Sequence, residues 1–378
     1  MNMSVKPTTT PTLRSRIGRR IKKKQLSRRQ LPGSGINPIA GKAVVQDWPL
    51  ILVTGANGYI GSHVVLELLK QGEWGDCHRQ PGKLQRGILK ENIRDRRRLR
   101  SIFCGYKLRD GRNAIRHVIH FAALKSVEGS RLNPAGYYST NVLGTPSTAR
   151  APARGPIHQP NSSLNHVVPV RAHQSEANVK PITQESTNMY GKTKLMCEEL
   201  IHKLCHSHGQ SNRSEDNFRA VILRYTNPSG NDPSGRIGDS PTHPENLMPI
   251  AAQVLQGTRE QISIYGADYP TRDGTGVRDF IHVQDLARGH LAALGAFNPI
   301  GNDFSRGTYP NNCQNLQFRD RKGCFGDGRD LATVICDPSK AERELGWKAE
   351  KGVLEMATDL WKFCISNPNG LLPQKDLK

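Results

Sequence analysis

The sequence predicts an α/β chain built on a doubly wound parallel sheet, with a smaller C-terminal substrate-binding domain. Three observations predict it. Ile51-Leu-Val-Thr54 is a short apolar run that ends in glycines at 55, 58 and 61. An apolar-periodic segment with Val64, Val65, Leu66, Leu68 and Leu69 follows at once. Further apolar runs then alternate with helical patterns, the signature of parallel strands joined by crossover helices. Strand, tight turn and helix in that order open a Rossmann-type dinucleotide fold. Gly55 permits the sharp turn, Gly58 lets backbone approach a pyrophosphate, and Gly61 lets helix and strand pack closely. The helix N-terminus offers N–H groups and partial positive charge to phosphates.

The remaining elements follow in order. Residues 73–90 contain no apolar run, so the expected second strand is not legible there. Asn92-Ile-Arg-Asp95 leads into a charged helix through Phe103, and His117 to Ala123 reads as a buried strand. Ala135 to Thr145 reads as a helix carrying Asn141, while 146–166 lack the periodicity of a further helix. His166 to Val170 is a strand weakened by Pro169. Tyr190 to Leu204 forms a helix, Ala220 to Tyr225 a buried strand, Met248 to Leu255 a helix and Gln261 to Gly266 a strand. Val277 to Leu294 is a short strand and a helix. Residues 295–330 are poor in apolar residues, so the strand and helix expected there are largely absent. Asp337 to Trp347 and Leu354 to Cys364 close the chain as helices. The expected units are a basic disordered tail at 1–48, a dinucleotide domain at 49–225 and a substrate domain at 226–378. Residues 277–295 return to the dinucleotide domain.

Composition narrows the class. The 378 residues carry a formal net charge of +21, with eleven Lys/Arg and no acid in residues 1–46. That run reads as a solvated extension or a misplaced start codon, and nucleic acid is not the expected partner. Hydrophobic content is 36%, against ~45–50% for a globular chain counted with glycine. No run approaches the ~20 apolar residues of a membrane span. No signal-peptide core is present, and eight cysteines lie scattered without CxxC pairs, which points to reduced thiols and a cytoplasmic location. His202, Cys205, His206 and His208 cluster at a helix end, but no second ligand pair of suitable spacing accompanies them, so no metal is expected.

Tyr190-Gly-Lys-Thr-Lys194 places a phenol and an ammonium on one helix face. A phenol ordinarily ionises near pH 10, so base work near pH 7 needs about 4 kcal/mol of help. A neighbouring lysine and a positively charged nicotinamide would supply it together.

Four blocks then carry a resemblance. They are Val53 to His63; His120 to Lys125 with Tyr138 to Thr145; Tyr190 to Glu199; and Leu223 to Gly289. The last holds Asp268-Tyr-Pro-Thr-Arg-Asp-Gly-Thr-Gly-Val-Arg-Asp-Phe-Ile-His-Val283. Over most of residues 50–370 the chain resembles the UDP-glucose 4-epimerases, within the extended short-chain dehydrogenase/reductases. The resemblance implies tightly held NAD and interconversion of UDP-glucose and UDP-galactose through a 4-keto sugar, with Tyr190 taking the 4′-hydroxyl proton. Lys194 would hold the nicotinamide ribose. Gly55, Gly58, Tyr59, Ile60 and Gly61 would hold the pyrophosphate. Asn92, Ile93, Phe121, Ala122, Ala123, Lys125, Asn141 and Tyr225 would complete the cofactor site. Asn227, Asn246, Leu247, Tyr265, Arg278 and Arg329 would hold the UDP-sugar, and the assembly would be a homodimer.

The chain departs from the family pattern at named places. The adenosine-ribose acid is missing with its strand, and the Gly-Asp-Ile turn is Glu91-Asn92-Ile93. The Ser/Thr-rich strand end is Pro169 to Ser175, the expected Phe is Thr226, and the nucleotide-binding arginine falls at Asp327 with Arg329 close by. The alternatives left open are a catalytically impaired nucleotide-sugar binder, another UDP-sugar-modifying reductase relative, and intron or frameshift sequence standing in for family segments.

Overall fold

The computed structural model describes residues 44–46, 50–71, 92–150, 164–171, 189–209, 218–241, 243–264, 268–297, 313–318, 332–368 and 370–371. The chain begins with β1 (Val44–Gln46), β2 (Leu50–Thr54) and α1 (Tyr59–Gln71). Next come α2 (Arg96–Gly105), β3 (Tyr106–Leu108) and β4 (Ile115–His120). Short helices α3 (Val127–Leu132) and α4 (Pro134–Tyr137) run through a π-turn at Tyr138–Val142 into α5 (Thr145–Arg150). The middle holds β5 (Leu164–Arg171), α6 (Met189–Gly209), β6 (Phe218–Tyr225), β7 (Pro228–Ser229) and α7 (Leu247–Leu255). The chain closes with β8 (Val277–Arg278), β9 (Ile281–His282), α8 (Val283–Gly295), β10 (Cys313–Phe318), β11 (Thr333–Val334), α9 (Ser339–Leu345) and α10 (Val353–Ser366).

Among the described residues, five strands form one sheet in the order β10-β6-β5-β4-β2, and their pairings are parallel. Period-2 side-chain alternation buries both faces. From β2, Ile51 and Val53 face one cluster while Leu50 and Leu52 face another. In β4, Ile119 and Val118 divide the same way. The first cluster packs Val64 and Leu68 of α1 and Leu286, Leu291 and Leu294 of α8 over Val221 and Leu223 of β6. On the other face, α2 supplies Leu99, Ile102 and Phe103, and α6 supplies Ile201, Leu204 and Cys205 against Phe218, Ala220 and Ile222. Helices therefore cover both sides of a parallel sheet. Each fully buried Leu, Ile or Phe stabilises this arrangement by about 1.5–3 kcal/mol.

Several expectations are corrected. Residues 261–264 are not a strand. A helix does extend past Thr145, to Arg150, with buried residues that are small and polar. Ser147 Oγ donates to the Leu143 carbonyl at 3.2 Å and Thr148 Oγ1 to the Thr145 carbonyl at 2.8 Å. Hydroxyls that bond back to the preceding turn need no apolar stripe. A strand also lies within 295–330: Cys313–Phe318 pairs with β6 at the sheet edge, where a polar sequence is at home because one side of the ladder is open. Pro169 sits inside β5, aligned with Leu223, but the ladder to β4 stops at Val167. Its missing N–H therefore falls where only one neighbour is registered. The segment 73–90 lies outside the described residues.

Candidate functional site

The carboxyl ends of β2, β4 and β6 deliver Gly55, Phe121 and Thr226 to one edge of the sheet, where a doubly wound sheet binds its ligand. Gly55 has φ +69°, and a β-carbon there would lie 2.8 Å from the Ala122 nitrogen. A β-carbon on Gly61 would meet the Gly55 carbonyl oxygen. The turn is thus too tight for side chains, and Gly55, Asn57 and Gly58 stay exposed. The first turn of α1 presents N–H groups that have no acceptor within the helix. This cradle fits a dinucleotide pyrophosphate.

Behind it runs a chain of buried hydrogen bonds. The Ala122 N–H donates to Thr54 Oγ1 at 3.3 Å, and Thr54 Oγ1 lies 2.7 Å from His120 Nδ1. His120 Nε2 lies 3.2 Å from Thr145 Oγ1, which donates to the Asn141 carbonyl at 2.7 Å. Burial, reinforced by the Lys194 charge, lowers the His120 pKa to about 3. The Thr145 hydrogen is committed to Asn141, so Nε2 carries the imidazole proton and Nδ1 accepts from Thr54.

Asn141, in the π-turn, joins this chain to α6. Its Oδ1 accepts from the Leu124 N–H at 2.8 Å, and its Nδ2 donates to the Leu124 carbonyl at 3.0 Å and to Thr193 Oγ1 at 3.1 Å. Thr193 Oγ1 in turn donates to the Tyr190 carbonyl at 2.7 Å. Cys197 donates its thiol hydrogen to the Asn141 carbonyl at 3.1 Å. Tyr190 is buried, its N–H donating to Ser130 Oγ at 3.1 Å, and Lys194 Nζ stands 5.8 Å from the centre of its ring. Opposite, the Asn227 Nδ2 and Thr226 Oγ1 both donate to the Asp279 carbonyl, at 3.1 and 2.9 Å. Arg278 is buried, with Nη1 donating to the Val277 carbonyl at 2.8 Å.

Residues 51–305 match the NAD dependent epimerase/dehydratase family. The chain belongs to that family. It is 37% identical over 354 residues to the UDP-glucose 4-epimerase of Bacillus subtilis (strain 168), covering 85% of this chain and 98% of that one. Against the UDP-glucose 4-epimerase of Drosophila melanogaster it is 37% identical over 362 residues, with the same coverage. Among solved structures, UDP-glucose 4-epimerase from Bifidobacterium longum in complex with NAD+ and UDP superposes with a TM-score of 0.68 at 29% identity. That match covers 85% of this chain and 100% of the other.

Within this NAD-dependent epimerase/dehydratase fold, the expected site residues separate. Thr54 before the glycine loop, Ala122, Leu124, Asn141 and Tyr190 come together through the hydrogen bonds above, and Lys194 joins them by its place over the Tyr190 ring. Tyr225 packs with Phe121 around His290, ring centres 6.2 and 4.9 Å away. Asn92 is exposed and its Oδ1 accepts from the Arg94 N–H at 3.0 Å, while Ile93 gives its side chain to the core beneath Gly144. Asn246 caps α7 from an exposed position and Leu247 begins that helix. Tyr265 and Arg329 lie outside the described residues, as do Ser175 and Asp327. Sequence reasoning gave no role to His120, Thr145, Thr193 or the Tyr59 phenol, whose partners are remote in sequence. The one available signal was a histidine ending the buried strand β4. Cys205 belongs to the apolar cluster under α6.

Proposed function

We propose that this protein interconverts UDP-glucose and UDP-galactose by epimerising C4 of the sugar, with NAD as its resident cofactor. The observation that carries the reading is the Asn141 clasp. One amide fixes Leu124, beside the cofactor loops, and Thr193, between Tyr190 and Lys194. The acid–base pair is thereby set at the sheet edge next to the glycine cradle.

Gly55, Gly58, Tyr59, Ile60 and Gly61 hold the pyrophosphate through backbone N–H groups. Phe121, Ala122, Ala123, Lys125, Asn141 and Tyr225 would line the rest of the cofactor, together with Asn92 and Ile93. Asn227, Asn246, Leu247 and Arg278 hold the UDP-sugar, and the fork of Arg278 suits diphosphate oxygens. Tyr190 accepts the 4-hydroxyl proton and returns it to the opposite epimer. Lys194, one helical turn on, would hold the nicotinamide ribose, its Nζ 5.8 Å from the centre of the Tyr190 ring. NAD supplies a reversible hydride acceptor at C4. Residues 49–225 form the cofactor domain and 226–378 the substrate domain, with 277–295 returning to the first. Support for that return comes from α8, whose Leu286, Leu291 and Leu294 share a cluster with α1 and β6.

A homodimer is supported by the exposure of Leu132, Tyr138, Leu143 and Met196 on neighbouring helices. A cytoplasmic setting is supported by the unbridged thiols of Cys104, Cys197 and Cys364. No described helix is long and apolar enough to cross a membrane.

The test is purification, release of bound NAD by denaturation, and assay of UDP-galactose conversion to UDP-glucose. Tyr190→Phe is expected to lower kcat by about 10²–10⁴-fold, the usual contribution of a positioned acid–base group, while NAD stays bound. A wild-type chain with neither NAD nor conversion refutes the enzyme and leaves a non-catalytic binder.

A further inference from the structure

The phenol of Tyr59 does something the cofactor role does not require. Tyr59 opens α1 in the glycine loop, yet its hydroxyl donates to the carbonyl of Gly230 at 2.5 Å, across the junction to the segment after β6. Gly230 has φ +78°, and a β-carbon there would lie 2.7 Å from His282 Nε2, so this carbonyl is held on a backbone no side chain could replace. Three residues earlier is Asn227, a non-glycine at φ +30°, a strained conformation that persists only when its surroundings impose it. Its surroundings are specific. The Ile281 N–H and Ser229 Oγ donate to the Asn227 carbonyl at 3.4 and 3.3 Å, and Pro228–Ser229 pairs with Ile281–His282. The tether from the cofactor side is Tyr59.

We propose that Tyr59 is a positioning residue that couples the two sites: its phenol fixes the Asn227–Gly230 loop and so presets Asn227 for the nucleoside diphosphate of the substrate. The inference rests on the epimerase reading above. Burial, with the nearby Asp239 carboxylate, pushes the Tyr59 phenol well above its ordinary ionisation range, so it remains a neutral donor at working pH.

Tyr59→Phe removes one oxygen and keeps the ring, its edge contact with His63 at 5.2 Å and the backbone N–H groups. On NAD-loaded protein, calorimetric titration with UDP should show Kd raised about tenfold, the scale of a lost neutral hydrogen bond. KM for UDP-galactose should rise in parallel, and by a larger factor than kcat falls. Asn227→Ala alone should also weaken UDP, and the double variant should bind UDP no worse than Asn227→Ala, because Tyr59 acts through that residue. An unchanged Kd in Tyr59→Phe, strictly additive effects, or loss of NAD with UDP binding intact overturns the coupling. A wild-type protein that binds no UDP overturns the substrate reading together with it. A lowered melting temperature without any change in Kd assigns the phenol to stability alone and also refutes the proposal.

Discussion

His120 shows how much of this site depends on one proton's position. Its ring joins the last residue before the glycine loop, Thr54, to the helix residue Thr145. The neutral Nε2–H tautomer satisfies both hydroxyls, and a charged ring would give Thr54 a second donor to face in place of its acceptor. His120→Ala leaves two buried hydroxyls without this partner. Each such group costs about 1–3 kcal/mol, so urea unfolding should show a loss of about 2–6 kcal/mol. A loss below about 1 kcal/mol, inside what one satisfied hydrogen bond contributes, would mean that water replaces the ring and the chain of bonds is dispensable. Asn141 is the complementary case. The sequence marks it as a polar residue inside a helical pattern; the structure adds that it sits in a π-turn, a distortion that turns both its carbonyl and its amide to use.

At the scale of elements, the fold was readable where apolar periodicity carried the information and obscure where polar groups did the same work. β2, β4 and β6 announce themselves as apolar runs, and α6 as a striped helix. α5 and β10 do not, because buried hydroxyls bonded to the preceding turn hold the one and the other is an edge strand. The nearness of Tyr190 to Lys194 is readable from their spacing, since helix geometry fixes their relation, and the glycine loop upstream is what gives that spacing its weight. The Tyr59 phenol and His120 are not legible, since their partners come from strands and loops far along the chain. The join of α6 to the sheet gives the element-scale prediction. Glu198 of α6 and Arg224 of β6 form a bidentate pair at 2.7 and 2.5 Å, with the carboxylate buried and the guanidinium largely so. Removing one partner strands the other charge, at about 3–5 kcal/mol, whereas replacing both by apolar residues of similar size is close to neutral. Glu198→Ala should therefore lower the urea midpoint far more than Glu198→Met with Arg224→Met. Equal losses would show that the ion pair contributes only packing.

Across the whole molecule, the buried histidines set the response to acid. Burial, then the Arg116 and Arg219 charges, lowers His117 to a pKa of about 4. His120 lies at about 3, and burial brings His290 to about 4 against the opposing pull of its bond to the Leu286 carbonyl. In the unfolded chain each titrates near 6.5. Above that pH both states are neutral and these groups leave stability unchanged. As pH falls below about 6.5 the unfolded chain takes up protons that the folded chain refuses, so stability drops until the folded pKa is reached. A shift from 6.5 to about 4 corresponds to about 3 kcal/mol per group. Three such groups together approach the whole of a typical folding free energy of ~5–15 kcal/mol. Asp239 works in the opposite sense, since burial raises its carboxyl pKa and acid relieves that cost, but it is one group against five histidines, because burial also lowers His282 to about 4 and lowers His63. Urea midpoints should therefore be level between pH 8 and pH 7, decline steadily below pH 6.5, and vanish before the medium reaches about pH 4. A profile that stays level to pH 4 would mean that the three rings become protonated and solvated inside the fold, and that the buried chain from Thr54 to Asn141 opens without unfolding the sheet.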